Sequence, residues 1–166
     1  EIMPSLVGSE MCIRDRAKAQ PGGVHYASAG TGSPHHLATE LLRERTGLTL
    51  THVPYKGAAP ALQDILGGNV AFMLVDTASG NPFVKSGKLH ALGVASAQRV
   101  PSLPDVPTLI EQGVTGYEAY AWQGLAVPAA TPPQTLARLS QGLTEALQSD
   151  AVKARFEALG LSLIHI

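Results

Sequence analysis

The chain has 166 residues, with 12 basic side chains against 13 acidic ones, 15% charged residues and a single cysteine. That balance leaves no basic stripe interleaved with aromatics, which argues against nucleic acid as a partner, and one cysteine makes no disulfide framework. No apolar run approaches the roughly 20 residues that a membrane span requires, which argues against direct membrane insertion.

The two ends stand apart from the rest. Residues 1–16 (EIMPSLVGSEMCIRDR) have no useful period and join abruptly to Ala17, and residues 161–166 (LSLIHI) follow Gly160 just as abruptly. Both read as adapter-like, non-native sequence and are set aside from fold reasoning. Cys12 falls in the first of them, so cysteine usage says nothing of redox compartment. Residues 17–160 suffice for one domain with a real core.

Gln20-Pro-Gly-Gly23 is a turn into a first short strand, which Val24, Tyr26 and Ser28 fit. Ala29-Gly30-Thr31-Gly32 breaks the strand with two residues that tolerate positive φ. Ser33 suits an N-cap and Pro34 the first helical position. Leu37, Ala38, Leu41 and Leu42 then form the apolar stripe of a helix ending near Gly47. Leu48–Val53 alternates as a strand, and Pro54-Tyr55-Lys56-Gly57 is a loop. Ala58–Leu66 is a helix stopped by Gly67-Gly68. Val70–Val75 is an almost unbroken apolar run, expected as a strand buried on both faces, with Asp76-Thr77 at its end. Residues 78–86 form a short helix or turn containing Pro82, and Leu89–Ala95 is expected as another buried strand. This alternation predicts an α/β fold: a mostly parallel sheet with helices on both faces.

After Ser96 the character changes. Residues 99–107 are irregular and proline-rich. Thr108-Leu-Ile-Glu111 is a capping box expected to open a short helix ending at Gly113. Residues 117–127 read as extended. Thr131-Pro-Pro-Gln134 is a second capping box, starting a helix with Leu136, Leu139, Leu143 and Leu147 on one side. Asp150 is expected to cap a last helix through Leu159. The compact core is expected within residues 24–96.

Parallel α/β sheets bind ligands beyond the carboxyl ends of their strands. Three stretches meet that edge here: Ala29–Ser33, Pro54–Gly57 and Asp76–Thr77. The candidate ligand-binding residues are Ser28, Gly30, Thr31, Gly32, Ser33, Tyr55, Lys56, Gly57, Asp76 and Thr77. A strand–glycine loop–helix start aims backbone N–H groups and a helix dipole at one point, which favours a carboxylate or phosphate. The alternatives are that Ser33 only caps its helix and that Asp76 only caps the next turn. Catalysis is harder to find. Ser33, His36 and Asp76 could form a hydrolase triad, but Gly-Thr-Gly-Ser-Pro lacks the G-x-S-x-G elbow, and His35 and His36 fit core or cap roles. Gly30-Thr31-Gly32 lacks the third glycine of a dinucleotide fingerprint, and Gly87-Lys88 lacks P-loop spacing. The histidines follow no metal-ligand spacing. No cofactor and no metal are expected.

The order of several short motifs carries a resemblance. They are Tyr26-Ala-Ser28 with Gly30, Gly32-Ser33 and His36-Leu37; His52-Val-Pro-Tyr-Lys-Gly57; Leu66-Gly-Gly; Ser86-Gly-Lys-Leu89; Leu103-Pro-Asp-Val-Pro-Thr108; and Trp122 followed by Gly124-Leu125 and Pro128-Ala-Ala-Thr-Pro132. Together the chain resembles the Bug-type solute receptors of tripartite tricarboxylate transporters. The resemblance implies a periplasmic, non-enzymatic binding protein of the type II-like two-lobe kind, closing on a small carboxylated solute and handing it to membrane transporter subunits. It implies that this chain is a fragment, lacking a signal peptide and most of the first lobe. Residues 17–100 would then be the second lobe, 101–127 the return linker and crossing strand, and 128–160 C-terminal helices belonging to the missing first lobe. A solute-sensing receptor without transport and an α/β hydrolase are the alternatives.

Overall fold

The computed structural model describes residues 22–161, so the end segments read as adapter-like, and Gln20 and Pro21 of the first turn, lie outside the described residues, except Leu161. The described chain divides into two compact units, one running to Ala121 and the other from Trp122.

The first unit contains β1 (Val24–Ser28), α1 (Pro34–Thr46), β2 (Leu50–Pro54), α2 (Ala58–Leu66) and α3 (Thr77–Lys85). β1 and β2 pair in parallel with Tyr26 opposite His52 and Ser28 opposite Pro54. Alternation along a strand sends neighbouring side chains to opposite faces. Val24 and Tyr26 therefore pack with Leu48 and Leu50 on one face, where the Tyr26 hydroxyl reaches Glu40 of α1. Ala27 packs with Ala61 of α2 and Val70 on the other face. Helices thus cover both faces, as the α/β pattern predicts.

Two expected strands are corrected. Val70–Val75 runs beside β1 but pairs at one bridge, Tyr26 to Phe72, with Ala27 N–H donating to Phe72 O at 2.9 Å and Ala71 N–H to His25 O at 3.2 Å. That register puts Leu74 opposite Ser28, the last residue of β1, and leaves Val75 beyond it. Only Val70 of this run is buried. Leu89–Ala95 joins no ladder. Val94 bridges Thr108 instead, donating to Pro107 O and accepting from Leu109 N–H. Pro107 has no amide donor, so the pairing cannot extend through it.

The core also runs further than residue 96. Leu109, Val114 and Tyr117 are buried against Leu42 of α1, and the Tyr117 hydroxyl donates to Ala38 O at 3.0 Å. The Thr108–Glu111 capping box forms in both directions, with Thr108 N–H to Glu111 Oε2 at 2.6 Å and Glu111 N–H to Thr108 Oγ1 at 3.0 Å. It opens a run of turns rather than the expected helix.

The second unit contains α4 (Pro133–Gln148) and α5 (Asp150–Leu159). Its expected caps differ. Pro132 is the N-cap of α4, and the Thr131 hydroxyl turns back to Pro128 O at 2.7 Å, so the second capping box does not form. Ser149, not Asp150, stands at the N-cap of α5, its hydroxyl spent on Ala146 O, the end of α4. α4 contains no buried residue, and Leu136, Leu139 and Leu143 stay exposed.

Candidate functional site

The site is built at the carboxyl edge of β1 and β2. β1 ends at Ser28, and Gly30 takes φ 128°, a region costly for any side chain, to turn the chain into α1. Ser33 caps α1, its Oγ accepting from His36 N–H at 3.3 Å, and Pro34 follows where no donor is needed. At the other end Gly47, at φ 67°, returns its N–H to Arg43 O.

The three loops named from the sequence meet here. Tyr55 N–H donates to Ser28 O at 3.0 Å, and a Cβ on Gly30 would lie 3.4 Å from Tyr55 O, so the loops after β1 and β2 run side by side. The third loop is tied in by His35, in the first turn of α1, whose Nε2 lies 3.4 Å from Asp76 Oδ2. A carboxylate only accepts, so this contact places the His35 proton on Nε2. The other Asp76 oxygen caps α3, accepting from Ser79 N–H at 2.8 Å. The hydrogen bond from His35 is the main reason the Asp76 carboxyl is held down at about 2, with the Ser79 amide adding to it against the opposing effect of burial.

Ser28 is fully buried; its Oγ contacts His52 Nε2 at 2.6 Å and both the N–H and C=O of Gly30 at 3.1 Å. One arrangement satisfies all three contacts: the hydroxyl donates to Gly30 O and accepts from His52 Nε2–H and Gly30 N–H. The Gly32 N–H donates to His36 Nδ1 at 3.1 Å, and the Ser33 N–H to Gly30 O at 3.2 Å. The Thr31 N–H has no acceptor among the described residues, and Thr31 is exposed. Tyr55 points its side chain to α2, where its hydroxyl donates to Asp64 Oδ2 at 2.7 Å; that bond is the chief cause of its raised pKa. Lys56 is exposed, and Gly57, at φ 114°, is the N-cap of α2 with no side-chain cap bond. Thr77 is the first residue of α3 and half-buried.

The electrostatics separate the three helix starts. α1 and α2 carry no acidic residue in their first turns, whereas α3 has the Asp76 carboxylate at its own N-terminus. The positive dipole ends of α1 and α2 are therefore available to an outside anion, while that of α3 is already met.

A group that the loop pattern does not announce lies beneath. His36 and His52 stack with centroids 4.0 Å apart, and His52 stacks on Tyr26 at 5.0 Å. Burial, with His36 as a second cause, pushes the His52 pKa down. The register that sets Tyr26 beside His52 and the four-residue helical step from His36 to Glu40 were the signals that could have exposed it. Ser33, His36 and Asp76 form no hydrolase triad: Ser33 Oγ serves the His36 amide, and Asp76 pairs with His35 rather than His36. Among the described residues no cluster of three His, Cys, Asp or Glu side chains is placed to hold a metal ion.

The family model described as "Tripartite tricarboxylate transporter family receptor" matches residues 12–164. Protein BugT of Bordetella pertussis is 39% identical over 145 residues, covering 87% of this chain and 44% of BugT. The solved structure described as "R. palustris Rpa4515 with adipate" superposes with a TM-score of 0.87 at 33% identity, covering 95% of this chain and 53% of that one. The periplasmic binding protein BugD superposes with a TM-score of 0.84 at 33% identity, covering 95% of this chain and 52% of BugD. The chain spans about half the length of these relatives. The fold is that of an α/β periplasmic binding protein, and the chain belongs to the tripartite tricarboxylate transporter receptors, a family of solute-binding proteins rather than enzymes.

Proposed function

We propose that this chain supplies one half of the ligand site of a periplasmic receptor that captures a small carboxylated solute for a membrane transporter. The observation that carries the reading is the start of α1. A dipole end with no acid of its own is fronted by the exposed Thr31 and its uncommitted N–H, beside the Gly57 start of α2. Adipate, named with the similar R. palustris structure, is a dicarboxylate of the kind this edge suits. In this reading residues 17–100 are the second lobe, 101–127 return towards the first lobe, and 128–160 belong to it. Thr31, Gly32, Ser33 and Gly57 face the ligand, with Lys56 at the rim, while Ser28, Tyr55 and Asp76 hold the loops that do so.

A charge-assisted hydrogen bond is worth roughly 1.5–3 kcal/mol, and 1.4 kcal/mol is tenfold in affinity. In the receptor-length protein, Thr31→Val combined with Ser33→Ala should weaken dicarboxylate binding at least about tenfold in calorimetry. Unchanged affinity in the folded double variant sinks the reading. Loss of the Ser33 cap alone costs about 1 kcal/mol of stability, so a melting curve accompanies the titration.

A further inference from the structure

Gly32 is the residue of the site loop whose amide is taken by a titratable side chain. Its N–H donates to His36 Nδ1 at 3.1 Å, and a nitrogen that accepts carries no proton, so in this arrangement the His36 proton sits on Nε2. A doubly protonated imidazole has no acceptor left. Its Nδ1–H would face the Gly32 N–H, and the two donors cannot share that position.

The surroundings decide which charge state is tolerated. His52 of β2 stacks on His36 at 4.0 Å, and Tyr26 of β1 lies parallel to it at 6.5 Å. Glu40, one turn further along α1, accepts from the Tyr26 hydroxyl and pairs with Arg43. The His52 Nε2–H is already committed to Ser28 in the arrangement that satisfies every contact there. Glu40 is the acid one helical turn from His36, its carboxylate shared between Tyr26 and Arg43. Imidazoles change charge between about pH 5 and 8.

We propose that His36 is a proton-operated latch on the ligand loop, a positioning residue that withholds the Gly32 amide from the site when neutral and releases it when protonated. The proposal rests on the receptor reading for its consequence. A released Gly32 N–H joins that of Thr31, and an imidazolium arrives at the same helix start. Carboxylate binding then takes up a proton, and affinity rises as pH falls, by at most about tenfold per pH unit for one linked proton.

The test follows the amide and the ring directly. In nitrogen-labelled chain, the Gly32 amide and the His36 ring nitrogens are recorded by NMR from pH 8 to pH 5.5. The latch requires both to titrate with one midpoint, and requires the neutral ring to carry its proton on Nε2. His36→Asn places a non-titrating oxygen acceptor near the Nδ1 position, so the Gly32 titration should vanish. A Gly32 amide that stays fixed while His36 titrates overturns the latch, and so does the same Gly32 titration in the His36→Asn variant. Adipate titrations of the receptor-length protein at pH 8 and pH 6 then separate the two claims. Tighter binding at pH 6 in the natural sequence but not in His36→Asn supports the latch. Binding with one pH profile in both overturns the latch and leaves the receptor reading standing. Failure of adipate and other small carboxylates to bind at either pH counts against the receptor reading, while the NMR titration still decides the latch.

Discussion

At the scale of single residues, Asp76 joins two helices. One oxygen caps α3 and the other receives the His35 proton from α1. Replacing it by Ala removes the cap and should cost about 1 kcal/mol. Its carboxyl is held at about 2, below the ordinary value of 3.8. A carboxyl depressed on folding contributes stability above its unfolded value and loses it as pH falls towards its folded value. Urea midpoints of the chain should therefore fall between pH 4 and pH 2, and Asp76→Asn should flatten part of that fall. An unaltered acid profile in Asp76→Asn would show that the His35 contact contributes nothing. The capping role of Asp76 was one of two readings left open by the sequence, beside ligand binding, because Asp before a helix start can bond the backbone amides there. Gly32 was not legible in the same way. The loop pattern suggests free amides, but the Gly32 and Ser33 N–H groups are both used internally, by His36 and Gly30. A side-chain rotamer decides the first of these, and no spacing rule encodes a rotamer.

At the scale of elements, α1 and α2 were readable from their punctuation, Ser33-Pro34 and Gly47 for α1 and Gly67 at the end of α2, whereas α3, with Pro82 inside it, read only as a short helix or turn. The strands were less so. An apolar run such as Val70–Val75 predicts burial, but pairing depends on backbone placement beside a neighbour, and this run meets β1 at the single bridge from Tyr26 to Phe72. The proline-rich stretch after Ser96 hid core residues for the opposite reason. Leu109, Val114 and Tyr117 follow no helical or strand period, yet all three are buried against α1. Tyr117 is fully buried, and burial pushes its hydroxyl up to about 12, whereas Trp122 is 82% exposed. Tyr117→Ala should cost about 3–5 kcal/mol. Trp122→Ala should stay within about 0.5 kcal/mol in this chain. Denaturant titrations of the two variants distinguish a structural 108–117 segment from a passive linker, which would show the opposite ranking or no difference.

At the scale of the whole molecule, β–α alternation announced a parallel sheet covered on both faces, and strand parity in β1 delivers it, with Tyr26 on the α1 side and Ala27 on the α2 side. The second unit was legible as an amphipathic helix pair, and its stripe of Leu136, Leu139 and Leu143 is exposed. Exposed apolar area of this kind marks an interaction surface. The isolated chain should bind a hydrophobic dye, and Leu136→Ser with Leu139→Ser should reduce that signal; equal dye binding in both would place the exposed surface elsewhere. The central claim is that this chain holds one part of a shared carboxylate site. Its most direct test is calorimetric titration of adipate and other small dicarboxylates into the receptor-length protein and into this chain, side by side. A shared site predicts micromolar binding of at least one dicarboxylate by the receptor-length protein, and affinity weaker by about 100-fold or more, or none, for the chain alone. Equal micromolar affinity in the two would mean that a complete site lies within these residues and would contradict it.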